Sequence, residues 1–264
     1  MAGKVERRQA ALVAALQAGT HDAQALGRQL GVSLVTIRRD LRQLAEAGRL
    51  VRTFRGAVPA EGHEPELTPA RRKHLNRAAK QAMARAAAAL IRPGESVILD
   101  GGSSTAALAQ QLRGRSGLRV ITNSLEVMAT LTAEEGIELV MLGGTVRTMS
   151  YSTGGPLAEL VLRRLTADRV FLGTDGVVAG RGLCEATSAQ IQLKEAMMSQ
   201  AGQICVLADA TKLGRPAQQA WAPLDRPWTL ITDDSATDAQ LAPFHALAGV
   251  EVLVAARSPG GLEP

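Results

Sequence analysis

The chain has 264 residues, 46% apolar and 21% charged, which suits one small and one medium folded domain and excludes a disordered chain. Aromatic residues make up only 2%, which argues against the base-stacking surfaces of RNA-binding modules. The net charge of +5 is unevenly held: residues 1–58 carry ten basic and four acidic residues, and the rest carries 20 and 21, so a polyanionic partner is expected for the first part.

Residues 1–58 read as three helices and a hairpin. Leu12 and Leu16 give residues 5–17 a helical spacing, and Asp22 is a cap for a second helix carrying Leu26 and Leu30. Gly31 permits a tight turn, and Ser33 caps a third helix. At about 100° per residue, Leu34, Ile37, Leu41 and Leu44 share one face of that helix. Val35, Thr36, Arg39, Arg42 and Gln43 share the other, with Arg38 on the flank. One face suits a core and the other suits DNA, the pattern of a helix-turn-helix whose third helix enters the major groove. After Gly48, "RLVRTFRGAV" reads as a short β-hairpin wing that carries Arg52 and Arg55 toward phosphate or the minor groove.

Residues 59–75, with three prolines and no apolar periodicity, read as a stiff linker. Arg71 to Arg92 contains no acidic residue, and a helix is expected from about Arg72 to Ile91, stopping at Pro93-Gly94. From residue 76 to 256, apolar runs alternate with helical segments: 96–100, 118–122, 137–142, 168–173, 203–209, 228–232 and 250–255. That pattern predicts a mostly parallel sheet covered on both faces, with 257–264 as a tail.

Ligands of such sheets bind beyond the carboxyl ends of the strands. Those ends bring together Asp100 with Gly102, Ser103, Ser104 and Thr105, then Thr122-Asn123-Ser124, Gly143-Gly144, Gly173 to Gly176, and Asp209 to Lys212. The amides of Ser103 to Thr105 open a helix whose N-terminus attracts an anion. Lys194 or Lys212 supplies a cation, and Asp100, Asn123 and Asp175 suit sugar hydroxyls. A polar small-molecule site is expected there.

"LGVSLVTIRRDLRQLAEAGRLVRTFRGAV" resembles the N-terminal signature of the DeoR/GlpR family of bacterial transcriptional regulators. The family pattern has His-Gly before the closing Gly-Ala; here Phe54 and Arg55 stand there, so relatives' operators are not transferable. "VILDGGSSTAALAQQL", "VITNS", "LGGTVR", "GTDGV" and "LADATKLG" resemble the same family's effector domain, which is similar in fold to ribose-5-phosphate isomerase and CoA transferases. The resemblance implies a phosphorylated sugar or polyol effector. It carries over Asp100, Ser103, Ser104, Thr105, Asn123, Asp175, Lys194, Asp209 and Lys212 as effector-binding positions, with Arg147 as an addition.

The isomerase pattern Asp-Gly-x-Asp becomes Asp175-Gly176-Val177-Val178 here, and an apolar side chain cannot abstract a proton. A sensor is therefore expected rather than an enzyme, although Glu185 and Asp209 keep an isomerase-like alternative open. A ligand-independent DNA-binding protein is the other rival. The expected mechanism is a repressor that a phosphorylated sugar releases from double-stranded operator DNA, by changing half-site spacing within a homodimer or homotetramer. Cys184 and Cys205 are too few for a disulfide framework and read as buried thiols, and the four scattered histidines offer no metal site. No metal or other cofactor is expected. No signal-like or membrane-spanning apolar run is present, so a cytoplasmic protein without membrane contact is expected.

Overall fold

The computed structural model describes residues 2–17, 22–46, 50–52, 57–59 and 67–257. The chain divides into two units, Met1–Glu66 and Leu67–Pro264. The Gly48 turn, Arg55 and residues 60–66 and 258–264 lie outside the described residues.

The first unit holds α1 (Ala2–Gln17), α2 (Ala23–Leu30) and α3 (Leu34–Glu46). Asp22 caps α2, accepting hydrogen bonds from the amides of Gln24 (3.0 Å) and Ala25 (2.9 Å). Gly31 follows with φ 64°, a left-handed conformation that glycine adopts without a Cβ penalty. The turn delivers Ser33, whose hydroxyl accepts the Thr36 amide at 3.2 Å and starts α3. Leu12, Leu16, Leu26, Ile37, Leu41 and Leu44 then close a small core. β1 (Leu50–Arg52) and β2 (Ala57–Pro59) pair antiparallel with Val51 opposite Val58, the hairpin expected of the wing.

One contact in this unit escaped the sequence reading. Asp40 points to the inner face of α3, fully buried, and accepts two hydrogen bonds from Arg8 of α1, at 2.5 and 2.9 Å. The pair ties the first helix to the third.

The second unit begins with a correction to the linker. Residues 69–74 form a helix, α4 (Pro69–His74), and α5 (Arg77–Leu90) follows it. Proline at the first helical position needs no amide partner, and Thr68 caps the turn. The helix expected from Arg72 to Ile91 is therefore two helices. They are broken at Asn76, which takes a left-handed conformation at φ 52°.

The chain continues through β3 (Ser96–Leu99), α6 (Ser103–Leu112), β4 (Leu118–Thr122), α7 (Leu125–Leu131) and β5 (Ile137–Met141). A hairpin, β6 (Thr145–Arg147) and β7 (Ser152–Gly154), leads into α8 (Pro156–Leu162) and β8 (Ala167–Leu172). Then come β9 (Gly176–Val178), β10 (Gly182–Glu185), α9 (Ser188–Ser199), β11 (Ala201–Leu207), β12 (Ala220–Ala222), β13 (Trp228–Asp233), α10 (Asp238–His245) and β14 (Val250–Ala255).

Seven strands form one parallel sheet in the order β14-β13-β11-β8-β3-β4-β5, each within two residues of an expected apolar run. Alternate side chains feed two cores: Val97 and Leu99 pack on one face and Ile98 on the other. Both cysteines are free and buried, as expected. The sequence reading missed two small antiparallel sheets, β6-β7 and β12-β10-β9.

Strand order reverses at β3, whose neighbours are β4 and β8. Helices leave these adjoining strands in opposite directions there, which opens a crevice beyond their carboxyl ends.

The Arg8–Asp40 pair gives an asymmetric expectation. Arg8→Met strands a buried carboxylate, whereas Asp40→Asn leaves a guanidinium that can turn to water. Thermal unfolding should show the larger loss of stability for Arg8→Met; an equal or smaller loss contradicts this account of the pair.

Candidate functional site

The outward face of α3 presents Val35, Arg38, Arg39, Arg42 and Gln43 to solvent, opposite Ile37, Leu41 and Leu44. Ser33 and Thr36 stand at its start with their hydroxyls 2.9 Å apart, so both belong partly to the cap. Gln43 accepts a hydrogen bond from Gln9 of α1 at 3.0 Å. Arg52 occupies the last position of β1. An exposed cationic helix behind a tight turn, followed by a hairpin, has the form of a winged helix-turn-helix.

In the second unit a cavity of about 360 Å³ lies at the crevice, near the lower end of small-molecule sites. Asp100 and Gly101 after β3 form its floor, together with Asn123 after β4. The β6-β7 hairpin forms one wall with Arg147, Ser150, Ser152 and Thr153, and the start of α9 forms another with Thr187, Gln190 and Lys194.

Lys194 is the centre of the electrostatics. Its buried ammonium pairs with Asp100, lies 3.1 Å from Glu185 and donates to the Gly173 carbonyl at 2.8 Å. Burial alone would lower its pKa, but Asp100 and Glu185 outweigh burial and hold it above the ordinary lysine value. Glu185 is also buried and accepts a hydrogen bond from Gln190 at 3.0 Å. Burial pushes its carboxyl up to about 7; Lys194 pulls it down, and Asp175 and Asp100 add to the rise.

Asn123 carries the other informative atom. Its amide nitrogen donates to the Thr153 carbonyl at 3.0 Å, while its Oδ1 is buried without a partner. Arg147 donates to Ser150 at 3.2 Å, and the Ser150 and Ser152 hydroxyls lie 2.8 Å apart.

Residues 75–234 match the family model described as the DeoR C terminal sensor domain, and residues 7–61 match that of the DeoR-like helix-turn-helix domain. This chain belongs to the DeoR family of transcriptional regulators. A protein of Escherichia coli O157:H7, whose name provisionally assigns it repression of the aga operon, is 34% identical over 96% of this chain and 94% of its own. The lactose phosphotransferase system repressor of Lactococcus lactis is 31% identical over 86% and 88%. Among solved structures, ribose 5-phosphate isomerase A of Methanocaldococcus jannaschii overlaps 50% of this chain and 52% of its own, at 22% identity and a TM-score of 0.38.

The DeoR-family sensor unit brings together some expected residues and separates others. Asp100, Asn123, Arg147 and Lys194 border the cavity. Gly102 is the residue before α6, and neither it nor Ser103, Ser104 or Thr105 borders the cavity. Ser104 and Thr105 are buried, and the Thr105 hydroxyl donates to the Asp100 carbonyl at 2.6 Å, which shapes the loop. Asp209 and Lys212 serve elsewhere. Asp209 accepts from Asn76 (3.0 Å) and the Thr211 hydroxyl (2.5 Å), and Lys212 donates to the Thr174 carbonyl at 2.6 Å. Asp175 sits 3.8 Å from Arg72 of α4, with one carboxylate oxygen buried and unpartnered.

Several site residues were not picked out as ligand-binding in the sequence. Glu185, which entered only as a possible base, closes β10, Thr187 caps α9 and Gln190 lies in its first turn, while Ser150 sits in the hairpin turn and Ser152 and Thr153 in a strand too short to show a period. Arg72 also reaches the site's wall, donating to the Met149 carbonyl in the β6-β7 turn.

Glu185 makes stability depend on pH. Between the ordinary glutamate value of 4.5 and about 7, the folded chain holds a proton that the unfolded chain has lost. This contribution is therefore largest at low pH and falls as pH rises to about 7. Melting curves from about pH 5 to about pH 7 should show wild type losing ground to Glu185→Gln; parallel profiles contradict the buried carboxyl.

Proposed function

We propose that the chain is a repressor that binds double-stranded operator DNA through α3 and the wing, and that a phosphorylated sugar or polyol held in the cavity relieves the binding. The observation that supports it is the Asn123 Oδ1 atom. It is a buried acceptor without a donor, on a residue that borders the cavity together with Asp100 and Arg147. A buried acceptor left unmade costs about 1–3 kcal/mol, which a sugar hydroxyl recovers.

Asp100 accepts a second hydroxyl while its pairing with Lys194 holds it in place. Arg147 attracts the phosphate, with the first-turn amides of α6, just beyond Gly101, adding partial positive charge. The name of the Lactococcus lactis relative, a lactose phosphotransferase system repressor, favours the same chemical class. Catalysis is disfavoured on two grounds: Val178 closes β9 away from the cavity, and the Asp100 carboxylate is already paired with Lys194.

The coupling works as a population shift within a homodimer or homotetramer. Arg72 lies on the first helix after the DNA-binding unit in the sequence and holds the carbonyl of Met149 in the hairpin turn. A ligand that draws the hairpin inward acts on that helix, and the favoured arrangement spaces the two α3 helices wrongly for successive grooves.

Fluorescence anisotropy on DNA from the gene's own upstream region, with a panel of sugar and polyol phosphates and their parent sugars, tests this reading. One phosphorylated compound should release DNA where its parent does not, and Asn123→Ala should weaken that response about 10- to 100-fold without changing DNA affinity. Release by none of the panel, or an unaltered response in Asn123→Ala, overturns it.

On the DNA side, Arg39→Ala should cost about 1–3 kcal/mol at one operator position and relax preference there. Arg52→Ala should weaken binding across all sequences and flatten its salt dependence. Two variants with indistinguishable sequence and salt profiles contradict that division of labour.

A further inference from the structure

Residues 71–92, which span most of α4 and all of α5, carry seven arginines and lysines and no acidic residue. Residues 93–264 carry 13 basic and 18 acidic residues. The second unit thus concentrates its positive charge where it begins. Charge gathered into one segment against an acidic remainder is the mark of a polyanion partner rather than of a solvated surface.

Two of the seven turn inward. Lys80 is buried and donates to the carbonyls of Arg72 and Leu75, the second at 2.6 Å, groups that the end of α4 leaves without an intrahelical partner. Arg72 donates to the Met149 carbonyl. These bonds fix α4 and the start of α5 to the body of the unit. The other five, Arg71, Lys73, Arg77, Arg85 and Arg92, are exposed. α5 turns Met83 and Ala87 into the core, while Arg77, Gln81 and Arg85, four residues apart, follow one another along its outer side over about 12 Å.

We propose that this cationic line is a second DNA contact, lying along the sugar-phosphate backbone of the duplex outside the bases that α3 reads. A small anion needs donors that converge on one point, whereas these are strung out in a row. A duplex carries a phosphate about every 1.7 Å of its axis, so a row of charges meets several at once. Gln81 adds a neutral donor of the kind that phosphate oxygens accept. DNA is also the polyanion that the chain itself brings within reach. Pro59 ends β2 and Pro69 begins α4, and ten residues of chain span at most about 36 Å, about one turn of B-DNA. Because Lys80 and Arg72 already hold α4, its outward cations meet the backbone with little ordering cost. This contact depends on DNA binding by the first unit and not on the effector reading.

Two duplexes test it on the full chain: the shortest fragment of the gene's own upstream region that binds, and the same fragment with about two helical turns added on each side. Wild type should bind the long duplex more tightly. Arg71→Gln combined with Lys73→Gln should lose on the order of tenfold on the long duplex, reduce its salt slope by about 1 to 2, and lose no more than about twofold on the short one. Arg163→Gln combined with Arg181→Gln removes the same charge from exposed arginines on the sheet's other face and should change neither. An Arg71 and Lys73 variant that binds both duplexes like wild type, or a control that loses as much, overturns the inference. A wild type that binds no such fragment overturns the reading of α3 as well, which tells the two failures apart.

If the double variant fails to fold, Lys73→Cys decides. The native cysteines are buried, so an iron chelate attached at position 73 should cut the DNA backbone in the flanks, and the same chelate on Arg181→Cys should not. No cutting from position 73, or equal cutting from both, also overturns it.

Discussion

A buried lysine holds the point where the sheet changes direction. Lys194 reaches from α9 to Asp100 at the end of β3, to the carbonyl of Gly173 at the end of β8, and to Glu185 at the end of β10. A doubly wound sheet leaves an opening between two such strand ends, and here an ammonium group fills part of it. Desolvating that charge is costly, and two carboxylates and a carbonyl compensate for it. Such a cluster adds little net stability, but only one arrangement satisfies it. That arrangement places a carboxylate and an ammonium on the cavity's edge in fixed positions.

The rest of the cavity is built from a hairpin pressed against this frame. Asn123 binds β7 through its backbone carbonyl, which accepts the Thr153 amide at 2.8 Å, and through its side-chain amide. The approach is close enough to require glycine at two positions. A Cβ on Gly101 would come within 2.6 Å of that of Ser152, and one on Gly144, at φ 99°, within 2.4 Å of the Gly154 carbonyl. The hairpin in turn accepts Arg72 from α4 and continues into α8. A single wall thus meets a ligand-sized cavity and the helix that follows the DNA-binding unit in sequence.

The parts of this architecture with a strong period were legible in the sequence. Seven strands announced themselves as apolar runs, and α3 announced its two faces by the placement of Ile37 and Leu41 against Arg39 and Arg42. The short strands of the second unit were not legible, because a three-residue strand such as β6 or β7 contains no repeat to detect and, unlike the wing, lacks an alternation of apolar and basic residues beside it. α4 was hidden by Pro69 and its neighbours, which read as breakers although proline suits a first helical turn. Asp209 and Lys212 sit at a strand end, as a ligand-binding rule requires, yet their side chains close a loop against Asn76 and Thr174. Chain position alone does not separate a ligand-facing polar group from one that has found a protein partner. Asp40 shows the converse, an apparent surface charge whose partner lies 32 residues away.

The central claim is that the space bounded by Asp100, Asn123, Arg147 and Lys194 receives the molecule that this regulator senses. A crystal structure of the full chain with a phosphorylated sugar that releases it from DNA tests that most directly. The account predicts density for the sugar in this cavity, with a hydroxyl donating to Asn123 Oδ1 and the phosphate toward Arg147. Density for the same compound elsewhere on the chain, with the cavity unchanged, would contradict it.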